Sequence, residues 1–149
     1  MTYAVEDTQT TSLFADNNNP FDNRIFRCLV ISPAGESIRD FKSIKQLLEA
    51  LRDAIKAHRL LYTVGNILHR NVSKNNIIMT DLEKTGGFAG MLIDLDLTKE
   101  VRSGAQHWIG TMEFMAIEVL LGFAHTCCHD LESFSYMFLW LCVCHVWKF

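Results

Sequence analysis

The 149-residue sequence predicts a single α+β domain that is mainly helical and contains a small β hairpin. Two long segments are expected to be helices. Apolar residues recur at helical spacing along Ser43–Tyr62, and Leu131–Trp147 is a long apolar run with one formal charge, Glu132. Between them lie two short apolar segments, 77–79 and 90–93, whose connecting loop contains glycine, as is typical of a hairpin.

The chain before the first helix is expected to contain little regular structure. Residues 1–20 are polar and end in the breaker cluster 17–20, so a flexible tail is expected there, with the domain occupying residues 21–149. Arg24–Ile31 is rich in apolar and β-branched residues and predicts a strand. Residues 32–35 predict a turn.

The helix over Ser43–Tyr62 carries start and stop signals. Ser43 followed by Gln46 is a capping-box pattern. His58 and Arg59 lie near the C-terminal end, where cations suit the helix dipole. Gly65 is expected to end the helix.

The elements after this helix would bring two polar side chains together. A short strand over 66–68 precedes the polar segment 69–76. The hairpin that follows would present Asn76 and Asp94 side by side, although 18 residues separate them. Segment 97–109 is expected to be irregular.

The polar segment has the spacing of a catalytic loop. His69, Arg70 and Asn76 fit the H-R-D-x-x-x-x-N pattern of protein kinases, and Asp94 follows an apolar strand, as the kinase Mg²⁺-binding aspartate does. Asn71 stands where the pattern has its catalytic aspartate. An asparagine can accept a hydrogen bond from a substrate hydroxyl but cannot take its proton, and general-base help is typically worth ~10²–10⁴-fold. The substitution therefore predicts an impaired phosphotransferase.

Two later motifs occur in the order that kinases require. Gly110–Glu118 resembles the G-T-x-x-Y/F-M-A-P-E segment that closes a kinase activation loop, with Ile117 in place of the proline. His129–Phe134 resembles the start of the central buried helix, in which an aspartate, here Asp130, braces the backbone of the catalytic loop.

The strings HRxxSxNNIIxTD, GMLIDLDLxKE, GTMEFMAIEVLLG and HDLESFxYxxLWLC resemble the fungal-type protein kinase family, over residues 24–149. In that family Leu95-Asp96 and Ile117 are usual, whereas Asn71 is not. The resemblance implies a kinase-like C-lobe fragment that runs from the hinge strand to the central helix, Ser/Thr-type protein phosphorylation, and ATP and Mg²⁺ as cofactors. It implies that the catalytic residues are Asn71, Arg70 and His69. The residues that would contact nucleotide and Mg²⁺ are Asn76 and Asp94. The residues with an implied structural role are Asp130, Glu118 and Thr111.

The rest of a kinase domain has no counterpart in the sequence. None of the eight glycines lies in a G-x-G-x-x-G loop, and no V-A-I-K-like strand is present, so the N-lobe is expected to be largely absent. The C-lobe helices that follow the central helix are expected to be missing as well. A fragment of this kind should be inactive alone, and it should expose apolar surface that favours self-association.

Other functions stay open. A pseudokinase or protein-interaction fragment would bind a protein partner without catalysis, and a gene fragment would have no function. A small-molecule phosphotransferase would share motifs like His69–Asn76 and Ile93–Asp96, but such enzymes lack a segment like Gly110–Glu118. If Arg70 binds a phosphorylated residue of the activation segment, the candidates are Thr98, Ser103 and Thr111.

Composition argues against several classes of function. With 21% charged residues, a net charge of −3 and no basic stripe, nucleic acid is not an expected partner. The uncharged run Ser133–Trp147 is shorter than the ~20 residues of a membrane span, so no membrane partner is expected. Without a signal peptide, we read the five cysteines as reduced thiols in an intracellular protein, cytoplasmic or nuclear. Adjacent Cys127 and Cys128 suit buried thiols better than zinc ligands.

Overall fold

A computed structural model describes residues 34–100 and 110–146 of the chain. They lie in one compact unit that comprises residues 33–149. Within the described residues the fold is α+β, with three α-helices and a small antiparallel sheet, as the sequence predicts. The predictions for the tail 1–20, for the strand Arg24–Ile31, and for Cys28, Ser103 and Trp147 lie outside the described residues.

The first helix, α1, spans Ile44–Thr63 and has the predicted cap. The Ser43 hydroxyl accepts a hydrogen bond from the backbone N–H of Gln46 at 3.2 Å. The Gln46 side chain accepts from the N–H of Lys42 at 2.8 Å, one residue before the N–H that a capping box would use. The helix therefore begins within one residue of its expected start.

A three-stranded antiparallel sheet packs against α1, with one strand before the helix in the chain and two after it. Its strands are β1 (Glu36–Ser37), β3 (Ile77–Met79) and β4 (Gly90–Leu92), in the order β1-β3-β4. The pairing of Ile77 with Leu92 is the predicted hairpin. Strand β1 was not predicted, because two residues are too few for a periodic pattern to show.

A second, two-stranded sheet corrects the prediction for segment 97–109. Strand β2 (Ile67–Leu68) pairs with β5 (Lys99–Glu100), so the start of the segment that was expected to be irregular is a strand. Residues 101–109 lie outside the described residues. A strand just before the catalytic loop requires partners for its backbone groups, and β5 supplies them.

The last described helix, α3, spans Cys127–Val146 and begins four residues before the predicted start at Leu131. Its first turn is polar, and apolar periodicity cannot detect such a turn. The backbone N–H groups of His129 and Asp130 both donate to the Thr126 carbonyl. A shorter helix, α2 (Ile117–Leu120), precedes it, and single 3₁₀ turns lie at 38–40 and 112–114.

The core lies between α1, α3 and the three-stranded sheet. Helix α3 contributes Phe134, Met137 and Leu141, with Phe138 partly buried against them. The other buried side chains include Ile38, Leu47, Ala50, Ala54, Ile77, Met79 and Phe114. Strand β4 lies so close to α1 that a Cβ at position 90 would collide with the backbone of Ala50. Among the described residues, no helix has the length and apolar character needed to cross a membrane.

Candidate active site

The carboxylate of Asp130, at the start of α3, fixes the backbone of segment 69–76. One of its oxygens accepts from the N–H of His69 at 3.0 Å, and the other accepts from the N–H of Arg70 at 2.9 Å. Asp130 has no exposed surface. It therefore stands where the kinase resemblance expects it, beneath the loop and bonded to its backbone.

Two histidines complete the surroundings of Asp130. His58 of α1 lies 2.9 Å from one carboxylate oxygen, and His125 lies 2.8 Å from the other. Burial by itself raises the pKa of Asp130, but the hydrogen bonds from His125 and His58 outweigh it and leave the pKa well below its usual range. The carboxylate is therefore ionised, and each oxygen accepts two hydrogen bonds.

The contact of His58 with Asp130 was not predicted. The sequence placed His58 only near the C-terminal end of α1, where cations suit the helix dipole, whereas its side chain is 1% exposed and contacts Asp130. His125 was likewise absent from the predicted site. Neither contact could be predicted from neighbouring residues, because Asp130 lies 72 residues from His58 and five residues from His125. The apolar spacing of α1, which turns His58 inward, was the one available hint.

Within residues 34–100 and 110–146, three residues other than glycine have positive φ angles, and all three lie at or beside the loop. They are Asn66 (φ 54°), Arg70 (φ 66°) and Asp94 (φ 63°). Such conformations are costly for residues with a Cβ and tend to concentrate at functional sites. In this conformation the N–H of Arg70 donates to Asp130 of α3, and this hydrogen bond offsets part of the conformational cost.

His69 ties the loop to the segment after β4. Its Nε2 lies 3.1 Å from the Ile93 carbonyl oxygen, which can only accept, so Nε2 carries the proton. Its Nδ1 accepts from the N–H of Asn71 at 3.3 Å. Burial lowers the pKa of His69. A ring that donates through Nε2 and accepts through Nδ1 is neutral. With both nitrogens engaged, His69 is a link between backbones.

Asn71 lies at the centre of the site and bonds in two directions. Its Oδ1 accepts from both the N–H and the hydroxyl of Thr111, each at 3.1 Å. Its Nδ2 donates to an oxygen of Asp94 at 3.3 Å. The side chain thus joins the loop to the two later motifs.

The hairpin brings Asn76 and Asp94 to this same place. Asn76 precedes β3 and Asp94 follows β4, and the N–H of Ile93 donates to the Asn76 carbonyl at 2.9 Å. The Asn76 side chain is directed back to the loop, where its Nδ2 donates to the carbonyl of Asn71 at 2.8 Å. The predicted neighbours Asn71, Asn76 and Asp94 are therefore joined by hydrogen bonds.

The residues of this cleft fit a hard divalent cation. Mg²⁺ is bound through oxygen atoms. Asp94 is exposed and offers a carboxylate, and Asn76 offers Oδ1, since its described hydrogen bond uses Nδ2. By contrast, no cluster of three or more His, Cys, Asp or Glu side chains suited to a metal ion occurs in the described parts of the chain.

The segment Gly110–Glu118 closes over the loop. Gly110 has φ 129°, and a Cβ there would lie 2.6 Å from the Arg70 carbonyl oxygen, so both the angle and the space require glycine. Glu118 accepts from Nε2 of His129 at 2.9 Å; this Nε2 carries the proton because Nδ1 accepts from the N–H of Thr126. Thr111 bonds to the loop through Asn71.

The isoleucine in place of proline at position 117 has a visible partner. Its backbone N–H, which proline lacks, donates to the Glu132 carboxylate at 3.1 Å. The Tyr136 hydroxyl donates to the same oxygen at 2.6 Å. The hydrogen bonds from Tyr136 and Ile117 hold the pKa of Glu132 below its usual range. The substitution thus fastens α2 to α3.

Comparison with known proteins identifies the family. A family model described as fungal protein kinase matches residues 2–142, which begins earlier than the stretch 24–149 over which the motifs are recognised. A search of curated proteins found no match. The match covers nearly the whole chain, and its motifs lie around one cleft. The chain therefore belongs to the fungal protein kinase family.

Proposed function

We propose that residues 21–149 form part of the C-lobe of a Ser/Thr-type protein kinase, which keeps the framework for phosphoryl transfer but transfers phosphate poorly. One observation carries the proposal. The amide of Asn71 occupies the position of the catalytic carboxylate and is bonded to Thr111 and Asp94. An amide there can orient a substrate hydroxyl but cannot take its proton.

The other groups of the framework would keep their kinase roles. When ATP is bound with Mg²⁺, the cation neutralises charge on the phosphates, and Asp94 and Asn76 are the residues that would hold it. Asp130 would keep the loop in register through the N–H groups of His69 and Arg70. Loss of the base alone is expected to lower turnover by ~10²–10⁴-fold.

These 149 residues by themselves are expected to bind nucleotide weakly as well. The 149 residues contain no glycine-rich loop and no lysine strand that would grip the phosphates. Phosphoryl transfer depends mainly on holding the γ-phosphate in line with the attacking oxygen. A restored base would therefore have no effect while the γ-phosphate is not held in place. This allows the loss of the base and the loss of phosphate binding to be separated by experiment.

Transfer of radiolabelled phosphate from ATP to a generic protein substrate tests both defects. In the 149-residue chain, we expect background transfer from the unmodified protein and from Asn71→Asp, with Asp94→Asn as the control that defines background. In a longer chain that adds a kinase N-lobe with its glycine loop and lysine, Asn71→Asp should raise turnover by ~10²-fold or more. Robust transfer by the unmodified 149-residue chain would refute the proposal, and equal rates for both side chains in the longer protein would show that position 71 is not the base.

A second candidate function is protein binding without catalysis. It is favoured by an apolar groove of about 440 Å³ between α1 and α3, lined by Leu48, Leu51, Arg52, Ile55, Leu131, Phe134, Ser135 and Phe138. Exposed apolar surface of this kind is typical of interaction sites. The partner would be a protein or a second copy of the chain. Small-molecule phosphotransfer is less well supported, because Gly110–Glu118 closes on the loop as in protein kinases.

A further inference from the structure

Asn71 stands where the kinase pattern has its base, but its hydrogen bonds connect separate segments of the chain. Among the described residues, its backbone and side chain together take part in five hydrogen bonds, with His69, Asn76, Asp94 and twice with Thr111. These partners belong to the catalytic loop, the segment after β4 and the segment before α2. One residue therefore connects the three segments that form the cleft.

The orientation of the amide is determined by its partners. The backbone N–H of Thr111 can only donate, so the atom that faces it must be Oδ1. Nδ2 then faces the oxygen of Asp94, which as a carboxylate accepts. Asparagine satisfies both neighbours at once.

An aspartate at position 71 would satisfy only one of them. Its first oxygen would accept from Thr111, but its second would face the Asp94 oxygen at about the present separation of 3.3 Å. With no hydrogen atom between them, two carboxylate oxygens this close repel each other unless a cation lies between them. The space beside Asn71 and Thr111 is only about 10 Å³, room for roughly one water molecule, so that side offers little relief.

We propose that Asn71 is a positioning residue that keeps the cleft assembled without a divalent cation. The N–H of its amide bonds to Asp94 at the point where an aspartate would place a second carboxylate oxygen. This role of Asn71 is independent of whether the chain transfers phosphate.

Thermal unfolding of the full chain with EDTA and with excess Mg²⁺ tests this role. The unmodified protein and Asp94→Asn should unfold at nearly the same temperature in both conditions. Asn71→Asp should unfold roughly 5 °C lower in EDTA, and Mg²⁺ should restore most of the loss. The double variant Asn71→Asp/Asp94→Asn reverses the polarity of the bond, since an amide at 94 can donate to a carboxylate at 71. It should regain stability in EDTA and show little response to Mg²⁺.

Two results would overturn the proposal. One is an Asn71→Asp protein that is as stable as the unmodified chain in EDTA and does not respond to Mg²⁺. The other is a double variant that stays as unstable as Asn71→Asp, which would show that the damage does not come from facing carboxylates. If Asn71→Asp fails to fold, the double variant decides alone: a folded double variant supports the proposal, and an unfolded one contradicts it when Asp94→Asn folds. Phosphate transfer is measured separately, so the unfolding result can be interpreted even if the proposed function is refuted.

Discussion

At the scale of single residues, the carboxylate of Asp130 is the most constrained group of the described site. Each of its oxygens accepts one backbone N–H and one histidine ring. Since both oxygens face a backbone donor, an amide at this position must direct its own N–H groups at another N–H. The side chain is therefore needed as a carboxylate.

Replacing Asp130 with asparagine is expected to destabilise the protein strongly. The substitution leaves a buried N–H and a histidine without an acceptor, and each unsatisfied buried group costs about 1–3 kcal/mol. We expect the free energy of unfolding to fall by roughly 2–4 kcal/mol in urea titrations followed by circular dichroism. The matched control is Asp96→Asn, which removes the same charge from an exposed residue. Equal stability of the two variants would contradict the assigned role.

Asp53 gives a prediction that depends on pH. The side chain of Arg52 donates two hydrogen bonds to the buried carboxylate, at 2.8 and 2.9 Å, and the N–H of Ala89 donates a third. Chiefly through the hydrogen bonds from Arg52, the pKa of Asp53 falls from 3.8 to about 2. A carboxylate whose pKa is lowered on folding stabilises the folded state, and this contribution is complete at pH values above the pKa of the unfolded chain. It is lost as the pH falls from about 4 toward about 2.

The measurement compares the unmodified protein with Asp53→Asn across this range. At neutral pH the variant should be less stable by about 1–2 kcal/mol, after allowance for the exposed side of Arg52. The difference should shrink as the pH falls below about 4, since protonation removes the same charge from the unmodified chain. A difference that stays constant down to acid unfolding would show that the charge of Asp53 does not matter.

At the scale of elements, the close approach of β4 to α1 holds the cleft in register. Gly90 lies against the backbone of Ala50, and the N–H of neighbouring Ala89 donates to Asp53 of α1. Asp94 lies two residues after the end of this strand. The distance between helix and strand therefore determines where the cation-binding carboxylate stands.

Substituting Gly90 with alanine tests this contact. The added methyl group must displace the helix backbone, so we expect a loss of about 3 kcal/mol or more, at or beyond the upper end of typical overpacking costs. Gly86→Ala serves as control, because nothing lies within 4 Å of a Cβ there, although its φ of 69° is positive. The control should lose about 1 kcal/mol. A Gly90→Ala protein no less stable than the control would mean that the helix can shift freely.

Elements with a repeating apolar pattern could be predicted, and those without one could not. The pattern and cap of α1 and the alternation around the hairpin give their bounds to within a residue or two. The first turn of α3 and the pairs of β1 and β5 depend on partners elsewhere in the chain. For the site, the spacing of His69, Asn76 and Asp94 was enough to place them together, but the contacts of His58 and His125 with Asp130 arise only from tertiary packing.

At the scale of the whole molecule, the groove between α1 and α3 leads to a prediction about association. Leu48 and Leu131 line it from opposite helices and are 49% and 42% exposed. We expect the chain to sediment as a dimer or larger species, because burying this surface removes apolar area from water. The double variant Leu48→Glu/Leu131→Glu should sediment as a monomer.

A control on the same helix separates the groove from general surface polarity. Leu139 is 59% exposed and does not line the groove, so Leu139→Glu should leave the association unchanged. Binding of a hydrophobic dye should fall with the groove variant more than with the control. A monomeric unmodified chain that binds no dye would contradict the proposed interaction surface.

The long reach of the Asp130 contacts has a consequence for the order of folding. Its bonds to His69 and Arg70 span 61 and 60 residues, and its contact with His58 spans 72. Closing loops of this length is slow and is rewarded only when both ends are in place. During synthesis, segment 69–76 leaves the ribosome well before the carboxylate that holds its strained backbone. The cleft is thus assembled among the last parts of the domain, and the amide protons of His69 and Arg70 should exchange with solvent only when α3 detaches.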